Sequence, residues 1–81
     1  MRVDKFLKNA RLIKRRTIAK EACEKGRVFI NDRVAKPGTE VSVGDIIHIE
    51  FGSGSITAKV LELLETSKKE DAADMYEIIE S

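Results

Sequence analysis

The sequence is poor in the residues from which catalytic and metal sites are usually built. Its 81 residues include one cysteine, one histidine and one proline, and they include no tryptophan. A single cysteine excludes a disulfide within the chain, and one Cys with one His cannot supply the four ligands of a usual zinc site. The sequence therefore predicts a reducing, cytoplasmic environment, with no metal and no cofactor.

Neither rare residue lies in a sequence context typical of a catalytic group. His48 alternates with Ile47 and Ile49 and is interpreted as the polar side of a strand. Cys23 lies on the apolar side of a predicted helix and is interpreted as a buried structural thiol. The glycines of "FGSGS", residues 51–55, lack the Lys-Ser/Thr pair of a phosphate-binding loop and indicate a hairpin turn. These features predict a binding protein and not an enzyme.

Long apolar runs are also missing. No stretch approaches the ~20 apolar residues that are needed to cross a membrane. Cations at Lys8, Arg11 and Lys14 interrupt the N-terminal region where a signal peptide would lie. The prediction is a single domain without a membrane partner.

The net charge of +1 conceals two halves of opposite sign. Residues 1–36 contain twelve Lys/Arg and four Asp/Glu, whereas residues 37–81 contain three and ten, giving +8 and −7. Four of the cations lie in "RLIKRR", residues 11–16. Such asymmetry indicates a nucleic-acid-binding surface in the basic half, and the later acids are interpreted as a solvated helix face.

Apolar spacing predicts two N-terminal helices. The first covers about residues 3–10, and its buried side consists of Val3, Phe6, Leu7 and Ala10. The second is predicted to have Thr17 as its N-cap and Gly26 as its C-cap. Its predicted buried side consists of Ile18, Ala19, Ala22 and Cys23.

The rest of the chain predicts short strands and a C-terminal helix. Extended segments are expected within residues 27–31, 33–41, 41–51 and 55–64, with turns at 31–33, 37–38, 44–45 and 51–55. The tail is predicted to be helical because Ser67 and Glu70 fit a capping box. Its apolar residues Ala72, Met75, Tyr76 and Ile79 follow helical spacing. The predicted class is α+β, with two N-terminal helices on a small antiparallel sheet and a short C-terminal helix.

The basic residues of the first two helices are predicted to share one surface. They are Arg2, Lys5, Lys8, Arg11, Lys14, Arg15, Arg16 and Lys20. Few aromatic residues are present, which favours backbone recognition of folded RNA over base stacking on a single strand. Two other interpretations remain open: a DNA-binding helix-turn-helix protein, and an interaction module whose acidic tail docks on a basic partner.

Residues 1 to about 51 resemble the S4 RNA-binding domain. The motif residues are Arg-aliphatic-Asp at 2–4, Phe6-Leu7, Arg15-Arg16-Thr17, Ala19, Gly26, Val28, Ile30-Asn31, Val34 and Val43-Gly44-Asp45. The resemblance implies an αL-type S4 fold. It divides the single domain into an S4 core at 1–51, a remaining strand and linker at 52–66, and a C-terminal helix at 67–81.

The short chain and its tail are similar to the free-standing S4 factors of bacterial ribosome-associated quality control. That resemblance implies a monomer that binds large-subunit ribosomal RNA and peptidyl-tRNA. It also implies a partner factor that adds C-terminal alanine tails to stalled nascent chains. Arg2 and Arg16 would be the principal RNA contacts, with support from Lys5, Lys8, Arg15 and Lys20. Asp4 would orient a neighbouring arginine or cap the first helix.

A related interpretation within the same domain class is the heat-shock ribosome-binding protein that acts on obstructed large subunits. Its members typically carry a longer basic tail, whereas residues 70–80 here are acidic.

Overall fold

The computed structural model describes residues 1–65 and 68–80. The helices are α1 (Val3–Asn9), α2 (Arg16–Glu24) and α3 (Lys69–Ala72), followed by a 3₁₀ turn at Ala73–Met75. The strands are β1 (Val28–Ile30), β2 (Arg33–Val34), β3 (Ile46–Phe51), β4 (Gly54–Val60) and β5 (Tyr76–Glu80). The predicted α+β class is confirmed: two N-terminal helices, an antiparallel sheet and a short C-terminal helix. None of the helices in these ranges is long and apolar enough to span a membrane.

The two N-terminal helices pack on the core largely as their spacing predicts. The four apolar positions predicted for α1 are all buried, as are Ala19 and Cys23 of α2. Gly26 ends α2 with a φ of 72°, and the following Arg27 N–H donates to the Ala22 carbonyl at 3.0 Å. The C-cap residue is Lys25, so Gly26 lies one position after the predicted cap, but it has the left-handed conformation that the prediction required.

Two details of α2 differ from the prediction. The helix begins at Arg16, its N-cap is Arg15, and no side chain caps it, so Thr17 is an exposed first-turn residue and not the cap. Ile18 is 48 % exposed, although its position on the apolar side predicted burial. Spacing identifies one side of a helix, but it does not say how far the neighbouring elements extend over that side.

The five strands lie in the order β2-β1-β3-β4-β5, and all pairs are antiparallel. Asn31 and Asp32 join β1 to β2 with φ values of 50° and 68°, as a two-residue hairpin turn with both residues left-handed requires. Ile47 and Ile49 of β3 point into the core. The buried face of the sheet packs against α1 and α2 and so fixes where their exposed cations lie.

The tail differs most from the prediction. A helix over 67–81 was expected, but α3 ends at Ala72 and residues 76–80 form β5 beside β4. Ala72 and Met75 are buried as the helical spacing required, whereas Ile79 is 53 % exposed. The β-branched pair at 78–79 favours a strand, and β4 offers an edge with which that strand can pair. Ser67 of the expected capping box lies outside the described residues.

Candidate RNA-binding surface

A buried carboxylate at the start of α1 brings two of the predicted arginines together. The side chain of Asp4 is 3 % exposed, and its oxygens accept from Arg2 Nη2 at 3.2 Å and Arg16 Nη2 at 3.4 Å. The two arginine side chains are 49 % and 47 % exposed. Each guanidinium has five N–H donors in a planar fork, so each can contact Asp4 and still present donors to solvent. We call Arg2, Asp4 and Arg16 the Asp4 cluster.

The position of Arg2 is fixed by backbone contacts with residues 39–41. The Val3 N–H donates to the Thr39 carbonyl at 2.8 Å, and the Val41 N–H donates to the Met1 carbonyl at 2.9 Å. Arg2 itself forms an isolated antiparallel bridge with Glu40. The first of these bonds also pairs the Val3 N–H, an amide in the first turn of α1. The N-cap residue of α1 makes no side-chain capping hydrogen bond. The guanidinium of Arg2 is therefore presented from an ordered backbone.

A second group of cations surrounds the connection between α1 and α2. Arg11 is left-handed, with φ 58°, and the Leu12 N–H donates back to the Leu7 carbonyl at 3.1 Å, closing the end of α1. A cleft of roughly 130 Å³ lies here, lined by Lys8, Asn9, Arg11 and Lys14. We call it the connector cleft. In the part of the chain that the structure describes, its lining has three cations and no acid, so it favours an anionic occupant.

The remaining predicted cations lie beside these two groups. Lys20 is exposed on α2 one turn after Arg16, which places it on the same side of the helix. Arg15 is exposed immediately before α2 and next to Lys14 of the connector cleft. The structure therefore places seven of the eight predicted cations in two groups, the Asp4 cluster with Lys20 and the connector cleft with Arg15.

Lys5 is the exception, because it is already paired with an acid from the second half of the chain. Its Nζ contacts Glu65 Oε2, and this hydrogen bond and the lysine charge lower the pKa of Glu65. Asn9 Nδ2 holds that segment on α1 by donating to the carbonyls of Leu64 and Glu65, each at 2.9 Å. Sequence reasoning missed Asn9 and Glu65, because no local pattern links residues that lie more than fifty positions apart.

Cys23 has the environment of a structural thiol. It is 3 % exposed, and burial raises the pKa of its thiol from 9.0 to about 11, with smaller contributions from the charges of Asp4 and Glu24. His48 lies on β3, where its Nδ1 is 2.9 Å from the Thr57 hydroxyl. Within residues 1–65 and 68–80, no three His, Cys, Asp or Glu side chains are placed to hold a metal ion.

We expect iodoacetamide at pH 8 to alkylate Cys23 in the folded protein at least ~100-fold more slowly than in the urea-unfolded chain. A pKa about two units higher reduces the reactive thiolate about 100-fold, and burial slows the reaction further. Mass spectrometry of timed samples measures both rates. Equal rates would contradict the buried thiol.

Comparison with known proteins identifies the family. The S4 domain model matches residues 1–47. The RQC P-site tRNA stabilizing factor of Listeria monocytogenes is 57 % identical over 98 % of this chain and 86 % of its own. The factor of that name from Streptococcus pneumoniae is 53 % identical over 98 % of this chain and 90 % of its own. The trimeric structure of heat shock protein 15 from Vibrio cholerae superposes with a TM-score of 0.89 at 29 % identity, covering 96 % of this chain and 80 % of that one. The chain thus belongs to the S4 domain family and, within it, to the family of the RQC P-site tRNA stabilizing factors.

Proposed function

We propose that this protein is a non-enzymatic RNA-binding factor of ribosome-associated quality control. It binds RNA of the large ribosomal subunit and stabilises the P-site tRNA, and so assists the factor that adds alanine tails to stalled nascent chains in the cytoplasm. The observation that carries the proposal is the Asp4 cluster, in which two half-exposed guanidinium groups are oriented by one buried carboxylate. The names of the relatives support the tRNA and quality-control part of it.

The geometry suits a backbone with regularly spaced phosphates. An arginine whose inner edge bonds Asp4 can offer its outer edge to a phosphate in bidentate fashion. The shared carboxylate keeps Arg2 and Arg16 close together, so both can contact neighbouring phosphates of one strand. The connector cleft seats a further phosphate among Lys8, Arg11 and Lys14. Folded RNA that spans both groups would be recognised by shape and charge.

The similarity to heat shock protein 15 favours one second candidate, a heat-shock-type ribosome-binding factor that recycles obstructed large subunits. The two candidates differ in one measurable property. A tRNA-stabilising factor keeps the peptidyl-tRNA on the large subunit and supports alanine tailing, whereas a recycling factor promotes release of the peptidyl-tRNA.

Co-sedimentation over a salt series from 50 to 200 mM tests the proposal with three substrates: subunits with peptidyl-tRNA, empty subunits and duplex DNA. With about five phosphate contacts, a plot of log binding constant against log salt concentration should have a slope of roughly −3.5 to −4.5. Affinity would then fall by a few hundred-fold across this salt range. Lys8→Gln is expected to weaken binding, and Lys59→Gln, an exposed lysine on β4, is the matched control. Equal affinity for duplex DNA, or equal effects of the two variants, would refute the proposal.

We expect Arg11→Gly to stabilise the fold and weaken RNA binding. A left-handed non-glycine residue costs about 1 kcal/mol, and glycine removes most of that penalty at φ 58°. Loss of one phosphate contact reduces affinity roughly fivefold to tenfold near 0.1 M salt. Thermal melts and co-sedimentation measure the two effects. Arg11→Ala, which removes the charge but not the strain, should weaken binding without raising the melting temperature.

We expect Glu65→Gln to strengthen RNA binding by roughly 1.5-fold to fivefold, because it releases Lys5 from an exposed ion pair. The same co-sedimentation assay measures the gain. Glu62→Gln, an exposed acid three residues earlier, is the control for a change in net charge. The same gain from both variants would show that net charge, and not release of Lys5, strengthens binding.

A further inference from the structure

An open groove of roughly 540 Å³ lies beside the cationic surface, between the α1–α2 connection, α2 and the end of β3. Its floor includes Ile18 of α2, which is 48 % exposed, and Phe51 of β3, which is 38 % exposed. Leu12, Ile13, Ala22 and Ile49 also line it. Single exposed apolar residues are ordinary, but these come from different elements and meet in one concavity, which is typical of a docking site.

Cations lie at both ends of this groove. Lys14 and Arg15 line it before the start of α2, and Lys25 and Arg27 line it after the end of α2. At 1.5 Å per helical residue, the two pairs are roughly 15 Å apart along the axis of α2. A complementary ligand therefore has an apolar middle and a negative charge at each end.

We propose that this groove binds an amphipathic helical segment of a partner protein, with acidic residues about ten positions apart and apolar residues between them. A helix of about ten residues is ~15 Å long, which matches the separation of the two cation pairs. Apolar side chains at helical spacing on that helix would fill the floor of the groove. RNA fits less well, because the apolar side chains of the floor carry no group that can hydrogen-bond to a base edge. Glu21 and Glu50 also line the groove, and they oppose an anion of either class, so they do not decide between RNA and an acidic helix.

This inference goes beyond the proposed RNA binding and adds a protein partner on the adjacent face. Lys14 lines both the connector cleft and the groove. A helix bound in the groove would therefore lie next to RNA held at the connector cleft, so that one small domain could join an RNA and a protein.

Two fluorescent peptides of sixteen residues test the proposal against the full chain. Both carry leucines at i, i+3, i+4 and i+7, and both carry one charged residue on each side of the leucines, the two being ten positions apart. The charged residues are glutamates in one peptide and lysines in the other. Fluorescence anisotropy should show at least tenfold tighter binding of the glutamate peptide. Ile18→Ser, Phe51→Ser and the double variant Lys25→Gln/Arg27→Gln should each weaken that binding at least tenfold. Val43→Ser, which changes a side chain that is 63 % exposed outside the groove, should leave it unchanged. Equal binding of the two peptides, or equal effects of Ile18→Ser and Val43→Ser, would overturn the proposal.

A photo-reactive residue at position 51 provides the test in cells. The expected product is a cross-link to a protein segment with acids flanking an apolar helix face. A cross-link to RNA, or to a second copy of this chain, would overturn the proposal. Co-sedimentation of Ile18→Ser with large subunits runs in parallel and should match the unsubstituted protein, so failure of the groove and failure of the RNA surface give different results.

Discussion

Replacement of Arg2 and Arg16 together by methionine is expected to weaken binding to large subunits by about two orders of magnitude or more. The same double variant should lower the free energy of unfolding by about 3 kcal/mol, although each single replacement should lower it by less than about 1 kcal/mol. Either arginine alone can still pair with the carboxylate of Asp4, which is 3 % exposed. With both arginines gone, the Lys5 backbone N–H, at 2.8 Å, is the one donor left to this buried charge among residues 1–65 and 68–80.

Adding Asp4→Asn to the double variant separates stability from binding. The triple variant has no unpaired buried charge, so we expect it to recover much of the lost unfolding free energy. RNA binding should stay lost, because the two guanidinium groups are still absent. Urea denaturation and co-sedimentation measure the two properties, with Arg33→Met, an exposed arginine on β2, as the control. Additive single effects on stability, or recovery of binding in the triple variant, would contradict this account of the cluster.

The sequence was sufficient to place the eight cations on or next to the first two helices, because charge and helical spacing are local properties. It was not sufficient to predict how they are held. Asp4 and Arg16 are twelve positions apart, and Lys5 and Glu65 are sixty apart. Such contacts depend on how α1 packs against α2 and on where the chain returns after β4. The assignment of the eight cations as RNA contacts stays a prediction.

Helix boundaries were predicted less well than helix existence. A Thr is a good N-cap because its hydroxyl accepts a hydrogen bond from a first-turn amide. Thr17 therefore suggested a later start for α2. The helix begins at Arg16 without a side-chain cap, which places the Arg16 side chain beside Asp4. The exposed Ile18 has a similar explanation: its spacing suits burial, but no element of the fold extends far enough to cover it fully.

The tail shows how a short pattern can predict the wrong element. Four apolar residues at helical spacing occupy only eight positions, and two of them, Ala72 and Met75, are buried near the short helix and the 3₁₀ turn. The conformation of the remaining residues is determined by pairing with the sheet. Ala58 of β4 pairs with Ile78, and Val60 pairs with Tyr76. Backbone pairing along an otherwise open edge outweighs a helical propensity that is weak over so few residues.

Met75→Ala is expected to lower the free energy of unfolding by about 2–4 kcal/mol, which is typical when a fully buried methionine leaves a cavity. The Met75 side chain is 0 % exposed in the core, and its carbonyl accepts the Leu61 N–H at 2.8 Å, which ties β5 to the end of β4. For a domain of this size the loss corresponds to a fall in melting temperature of roughly 8 °C or more.

Ile79→Ala is the matched control, because Ile79 lies on β5 four residues later and is 53 % exposed. We expect a loss of less than about 1 kcal/mol, since little apolar area is removed from the interior. A tail helix with Met75 and Ile79 on one buried side would give comparable losses for both variants.

Hydrogen exchange adds a second test. If Met75 anchors β5, amides of residues 57–60 that bond to β5 should exchange faster in Met75→Ala and be unchanged in Ile79→Ala. Equal protection in both variants would mean that β5 is held by its strand pairing alone.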